Sequence, residues 1–186
     1  MKLRTILAIT TLLTIYSCTS RTSGTTTTLT NRKLTGTIKQ GKFTNDYLTM
    51  TVVDGWTELE GNDTTQFCII QKAKDNFKPN IILLALDKRH YRDNYGFQTA
   101  EQYMSSLTDN FKSKPDYKLI SSMDKVEVDS HAFYKSEFLL LKGDRKYRQC
   151  YYATDIDDYY LGIVTTADND DLEPEIERTV QSIKFR

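Results

Sequence analysis

KVEVDSHAFYKSEFLLLKGDRKYRQCYYATDIDDYYLGIVTT, residues 125–166, is the stretch that decides the fold. Four strand-like runs follow one another in it: Lys125 to Asp129, His131 to Lys142, Arg145 to Asp155 and Tyr159 to Thr166. Asp129-Ser130, Gly143-Asp144 and Asp157-Asp158 join them, and Gly143-Asp144 is a two-residue connection of the kind that closes a hairpin. A parallel return would need a crossover of about a dozen residues, so strands joined this closely form an antiparallel meander.

Working outward, Tyr47 to Val53 alternates Leu48, Met50 and Val52 with Thr49 and Thr51, the period of a half-buried strand, and Asp54-Gly55 turns the chain before Trp56. Gln66 to Lys72 and Asn80 to Leu86 are two further strands. The second is almost continuously apolar, as a central strand covered on both faces must be, which places helices on both sides of the sheet. Thr99 and Gln102 form a capping box that opens a helix whose apolar stripe is Ala100, Tyr103, Met104, Leu107 and Phe111, with Pro115 at its end. Another helix begins near Asp171, carries Pro174 in its first turn and repeats Ile176, Val180 and Ile183 on one side. The expected class is α+β: an antiparallel β-sheet flanked by helices on both faces.

The chain starts differently. Lys2 and Arg4 precede Leu3 and the apolar, threonine-rich run Ile6 to Ile15, too short to anchor across a hydrocarbon core of about 30 Å. Ile15-Tyr16-Ser17-Cys18 resembles the lipobox of bacterial lipoproteins, although Tyr16 stands where a small or aliphatic residue is usual. The resemblance implies a signal peptide over 1–17, removal at Cys18, and lipidation of that thiol; two or three acyl chains would then hold the protein on the membrane. An ordinary secretory signal with an incidental cysteine is the alternative. Thr19 to Thr28 contains almost nothing to bury, so 18–41 reads as a tether and 42–186 as one domain. Thr19 is not the aspartate that marks inner-membrane retention in some bacteria, which points to the periplasmic face of the outer membrane. With Lys2 and Arg4 set aside, 23 basic residues face 25 acidic ones, a formal charge near −2 with no polybasic block. That balance argues against nucleic acid as a partner.

The order Phe43-Thr44-Asn45-Asp46-Tyr47, Asp54-Gly55-Trp56, Asn80-Ile81-Ile82-Leu83, Ala100-Glu101-Gln102-Tyr103, the meander, and Val180-Gln181-Ser182-Ile183-Lys184-Phe185 resembles the PsbP-like fold. That fold occurs in the extrinsic photosystem protein PsbP, in a Ran-binding nuclear import factor and in small bacterial lipoproteins. The resemblance covers about residues 43 to 185. It implies the fold, and a role in binding proteins or supporting assemblies rather than in catalysis; no manganese-binding or Ran-binding residue carries over.

The chemistry-bearing residues agree with that restraint. There is no Gly-x-Ser-x-Gly elbow and no phosphate-binding loop, and only His90 and His131 offer imidazole. No catalytic set, cofactor or metal centre is expected. His131 reads as a polar turn residue. Lys88 to Phe97 reads as a loop in which cationic and aromatic side chains alternate, and Arg89, Tyr91, Arg92 and Tyr95 are the residue types that anchor protein interfaces; the plainer account is a solvated loop whose tyrosines cover the sheet edge. Asp155, Asp157, Asp158, Asp168, Asp170 and Asp171 lack the glycine and distal glutamate of a calcium loop. Cys68 and Cys150 could bridge in an oxidising compartment but read better as buried free thiols. Two functions from different classes follow: a non-catalytic interaction or assembly-support lipoprotein with an envelope protein partner, and a carrier of a small apolar ligand between the sheet and the helix at Thr99 to Phe111. A hydrolase is a distant third.

Overall fold

In the computed structural model, which describes residues 34, 36–59, 66–72, 79–168 and 173–186, the element order is β1 (Thr37–Lys39), β2 (Lys42–Thr44), β3 (Leu48–Thr51), β4 (Trp56–Leu59), β5 (Gln66–Lys72), β6 (Asn80–Asp87), α1 (Lys88–Tyr95), α2 (Ala100–Lys112), β7 (Tyr117–Val128), β8 (His131–Lys142), β9 (Arg145–Ile156), β10 (Tyr159–Ala167), α3 (Glu173–Gln181) and β11 (Lys184–Phe185). The expected signal peptide, Cys18 and most of the expected tether lie outside the described residues.

The meander is antiparallel throughout and continues through β10 onto β6, giving a seven-stranded sheet of order β4-β5-β6-β10-β9-β8-β7. A second, four-stranded sheet of order β1-β2-β3-β11 was not expected; only β3 shows a period in sequence, and β1, β2 and β11, of two or three residues each, are too short to show one. β1 lies inside the expected tether. Gly36 sits so close to Phe43 that a Cβ there would meet the ring at 2.4 Å, so the folded region starts ahead of Lys42.

Register sorts the large sheet into two faces. Tyr160, Tyr151, Ser136 and Phe138 line one, under α1 and α2; Leu83, Ile163 and Tyr152 line the other, where Ile176 and Val180 of α3, Ile183 and the small sheet complete the main core. Helices therefore flank the sheet on both faces. Burying each large aliphatic or aromatic side chain contributes roughly 1.5–3 kcal/mol, which makes this double packing the main source of stability. α3 is fastened by Glu175, whose carboxylate accepts from Trp56 and from Lys72 at 2.8 Å. Asp171, its expected cap, lies outside the described residues. The chain end is latched to the β7–β8 turn: Asp129 accepts from Lys184 Nζ at 2.9 Å and from the Phe185 N–H at 2.7 Å. Those two bonds, the lysine's first, hold the Asp129 carboxyl below its usual 3.8.

Two expectations need correction. β7 begins at Tyr117 rather than Lys125, because register slips between Leu119 and Asp124 and a left-handed Met123 (φ 57) break the alternation that would have revealed it. The α2 stripe is also rotated. Ala100, Met104 and Phe111 are buried with Thr108, whereas Tyr103 and Leu107 are half-buried at its margin. Thr108 was missed because it is polar. Its hydroxyl donates to Met104 O at 2.7 Å, so the Ser136 hydroxyl donates to it at 2.8 Å and in turn accepts the Met123 N–H at 3.2 Å. This buried relay joins α2, β8 and the irregular part of β7 with no polar group in it left over.

Candidate functional site

The segment read as a loop is the helix α1, and it forms for local reasons. Asp87, the last residue of β6, caps it by accepting from the Arg89 N–H at 2.8 Å and the His90 N–H at 3.4 Å. Gly96 ends it in the left-handed conformation (φ 76), its N–H donating to Arg92 O at 2.9 Å. The helix has eight residues and none is buried.

The β9–β10 turn holds α1 in place. The Lys88 N–H donates to Asp158 O at 2.9 Å; its ammonium reaches Asp157 O at 2.8 Å and pairs with Asp155 Oδ1 at 3.1 Å. Asp155 Oδ2 also accepts from the Ala100 N–H at 3.0 Å, placing a carboxylate where the dipole of α2 favours one. The turn thus positions two helices, Asp155 through its carboxylate and Asp157 and Asp158 through their backbone carbonyls. Among the described residues no three metal-ligating side chains come together; Asp170 and Asp171 lie outside them.

Tyr91 and Tyr95, one turn apart, lean toward Phe97, Tyr103 and Tyr160. Tyr91 is 5.4 Å from Tyr103 edge-on and 6.1 Å from Tyr160, Tyr95 lies 5.8 Å from Phe97 nearly parallel, and Tyr103 stacks on Tyr160 at 5.8 Å. The cluster grades from a fully buried Tyr160, whose hydroxyl donates to Phe97 O at 3.0 Å, to Tyr95 at 36 % exposure. Of the four residues singled out from sequence, Arg89, Arg92 and Tyr95 are exposed on one helix. Tyr91 is half-buried inside the ring cluster, so it supports the surface rather than standing open on it. Arg92 rests on its neighbour Asp93 at 3.0 Å, an exposed pair worth about 0–1 kcal/mol that a partner could displace at little cost. Tyr160, which holds the cluster up from the sheet, was not recognised as part of the site. Its five-residue distance from Asp155 gives no signal in one dimension.

Of the other candidates, His90 lies on α1 itself, and His131 and the cysteines lie apart from it. His90 packs edge-on against Tyr91 at 5.4 Å, with Asn94 Nδ2 at 3.2 Å from its Nδ1. His131 belongs to the opposite face, its ring 4.1 Å from that of Phe185. Cys68 on β5 and Cys150 on β9 are separated by β6 and β10, about 14 Å at three strand spacings, so the open question of a bridge closes: both are free and buried. Burial pushes their thiols up to about 12 and about 11, leaving neither as a nucleophile at neutral pH.

An apolar ligand between the sheet and α2 would need space there. Phe111 instead meets Tyr117 at 4.5 Å, Tyr151 at 4.9 Å and Phe138 at 5.4 Å, and these rings fill the gap. On the opposite face a pocket of about 100 Å³ is lined by Lys135, Glu137, Arg148, Cys150 and Glu173. The almost fully buried Glu137 pairs with Arg148 and with Lys135 at 3.4 Å, and Arg148 also reaches Glu173, so these charges answer one another.

No known family model matches the sequence, and no curated protein does. Among solved structures the chain is similar to LpqN of Mycobacterium tuberculosis, a protein involved in cell envelope biogenesis, with a TM-score of 0.53 and 11% identity over 74% of this chain and 82% of that one. It is also similar to CyanoP, the PsbP of the cyanobacterium Synechocystis sp. PCC 6803, with a TM-score of 0.52 and 13% identity over 75% and 86%. At such identity the likeness shows the fold: an α+β fold of PsbP-like type.

Proposed function

We propose that this chain is a non-catalytic protein-interaction module of the cell envelope, held on the periplasmic face of the outer membrane through a lipid on Cys18, and that α1 is the surface that meets its partner. The observation that carries the reading is a helix with no buried residue, fixed at both ends and from below, that presents Arg89, Arg92 and Tyr95 to solvent on a rigid aromatic base. Such side chains bury large area with little further loss of freedom, and a base that is already ordered lowers the cost of docking. Two arginines beside an aromatic ring suit a partner that offers carboxylates next to an apolar side chain. The envelope setting draws on the lipobox resemblance around Cys18 and on the likeness of fold to LpqN. Among the described residues no helix is long and apolar enough to cross a membrane.

The test is partner capture from the native envelope by the lipidated protein. Arg92→Ala with Tyr95→Ala weakens capture at least ten-fold, or about 1.4 kcal/mol, with thermal stability nearly unchanged; unaltered capture clears α1 of the role. Tyr91 is not the residue to change, since its ring contacts make it part of the support. Cys18→Ala releases the protein from the membrane fraction. Firm retention of that variant counts against the anchor while leaving the α1 reading to its own test.

A further inference from the structure

β7 is the last strand on its side of the large sheet, and among the described residues no strand pairs with its outer edge. A free edge of this kind presents a row of backbone donors and acceptors to any strand that fits. Its first half is blunted by the register slips up to Asp124 and by the left-handed Met123. Its second half, Asp124 to Val128, pairs one for one with Lys135 to His131 of β8 and is regular enough to template another strand.

We propose that this edge docks, antiparallel, on the same edge of a second copy, about a two-fold axis through Val126, joining two seven-stranded sheets into one. Directly opposed residues share a face of a sheet, so the axis must pass through a residue rather than between two. Through Lys125 or Glu127 it would set like charges against each other. Through Val126 it sets Lys125 opposite Glu127 of the second copy and Glu127 opposite Lys125, two symmetric pairs of opposite charge, both side chains being exposed here. Val126, half-buried against the core, meets its own counterpart. The charge pattern of five residues thus selects one register and one partner, this chain itself. It rests on a different element from the α1 reading and stands or falls separately.

Sedimentation equilibrium of the purified full chain in density-matched detergent tests this. The expected result is a reversible monomer–dimer equilibrium that Lys125→Glu weakens about ten-fold, by opposing glutamates in both pairs, and that Lys125→Glu combined with Glu127→Lys restores. Circular dichroism confirms that the variants keep the native fold. In parallel, Val126→Cys oxidises to a covalent dimer, because directly opposed Cα atoms about 4.5–5.5 Å apart lie within disulfide range. A chain that stays monomeric to its solubility limit overturns the proposal. So does a dimer that Lys125→Glu leaves intact, or one that the charge exchange fails to restore in a folded protein.

Discussion

α1 and α2 lie side by side on the same face of the sheet and exist for opposite reasons. α2 has thirteen residues and buries Ala100, Met104, Thr108 and Phe111; α1 has eight and buries none. Isolated helices shorter than about 12–15 residues are marginal in water, so α1 needs another source of order. It finds one in Asp87 and Gly96 at its ends, in the grip of Asp155, Asp157 and Asp158 on Lys88, and in the rings beneath it. The buried side chains of α2 are consumed by the fold. Arg89, Arg92 and Tyr95 stay exposed, and a helix held from its ends and its base presents that outer surface to solvent.

The contrast can be broken from either side. Phe111→Ala removes the ring at the centre of the α2 packing and is expected to cost about 3–5 kcal/mol in chemical denaturation, while the half-buried Leu107→Ala costs clearly less. Equal losses would mean that α2 sits differently on the sheet. Ser136→Ala cuts the relay beneath α2, stranding the Met123 N–H and leaving the Thr108 hydroxyl only its bond to Met104 O, and should cost about 1–3 kcal/mol without loss of buried apolar area. Asp87→Ala removes the α1 cap and should cost about 0.5–2 kcal/mol, seen first as faster amide exchange at Arg89 and His90 while Met104 stays protected. Exchange that rises together in both helices would show that α1 and α2 open as one unit. Arg89→Ala with Arg92→Ala should change stability by less than about 0.5 kcal/mol, as surface substitutions do.

How much could be read in one dimension follows the same division. The meander and the helix after Thr99 were legible because burial imposes a period on a long element, and the central strand Asn80 to Leu86 because burial on both faces makes it almost continuously apolar. α1 was not, since nothing in it is buried and no apolar period exists; its true signal was the pair Asp87 and Gly96 set one short helix apart, a capping signature that was read past. β7 hid behind its slips, which leave Ile120 50 % exposed in the middle of a strand. Arg89, Arg92 and Tyr95 were singled out by residue type alone and are exposed, but the placement of Tyr91 and Tyr160 depends on contacts made across the chain. The acidic run offered carboxylates without saying what they bind; the structure gives that of Asp155 to Lys88 and to the start of α2, while Asp157 and Asp158 hold Lys88 through backbone carbonyls.

Site-specific photocrosslinking in the native envelope puts the central claim to its most direct trial. A photoreactive residue is placed in the full chain at position 95 on α1 and, as a control of similar exposure, at position 112 on α2. The account predicts one discrete adduct with a second protein from position 95, lost when Arg89 and Arg92 are both changed to alanine, and none from position 112. No adduct at 95, or the same adducts at both positions, would contradict it.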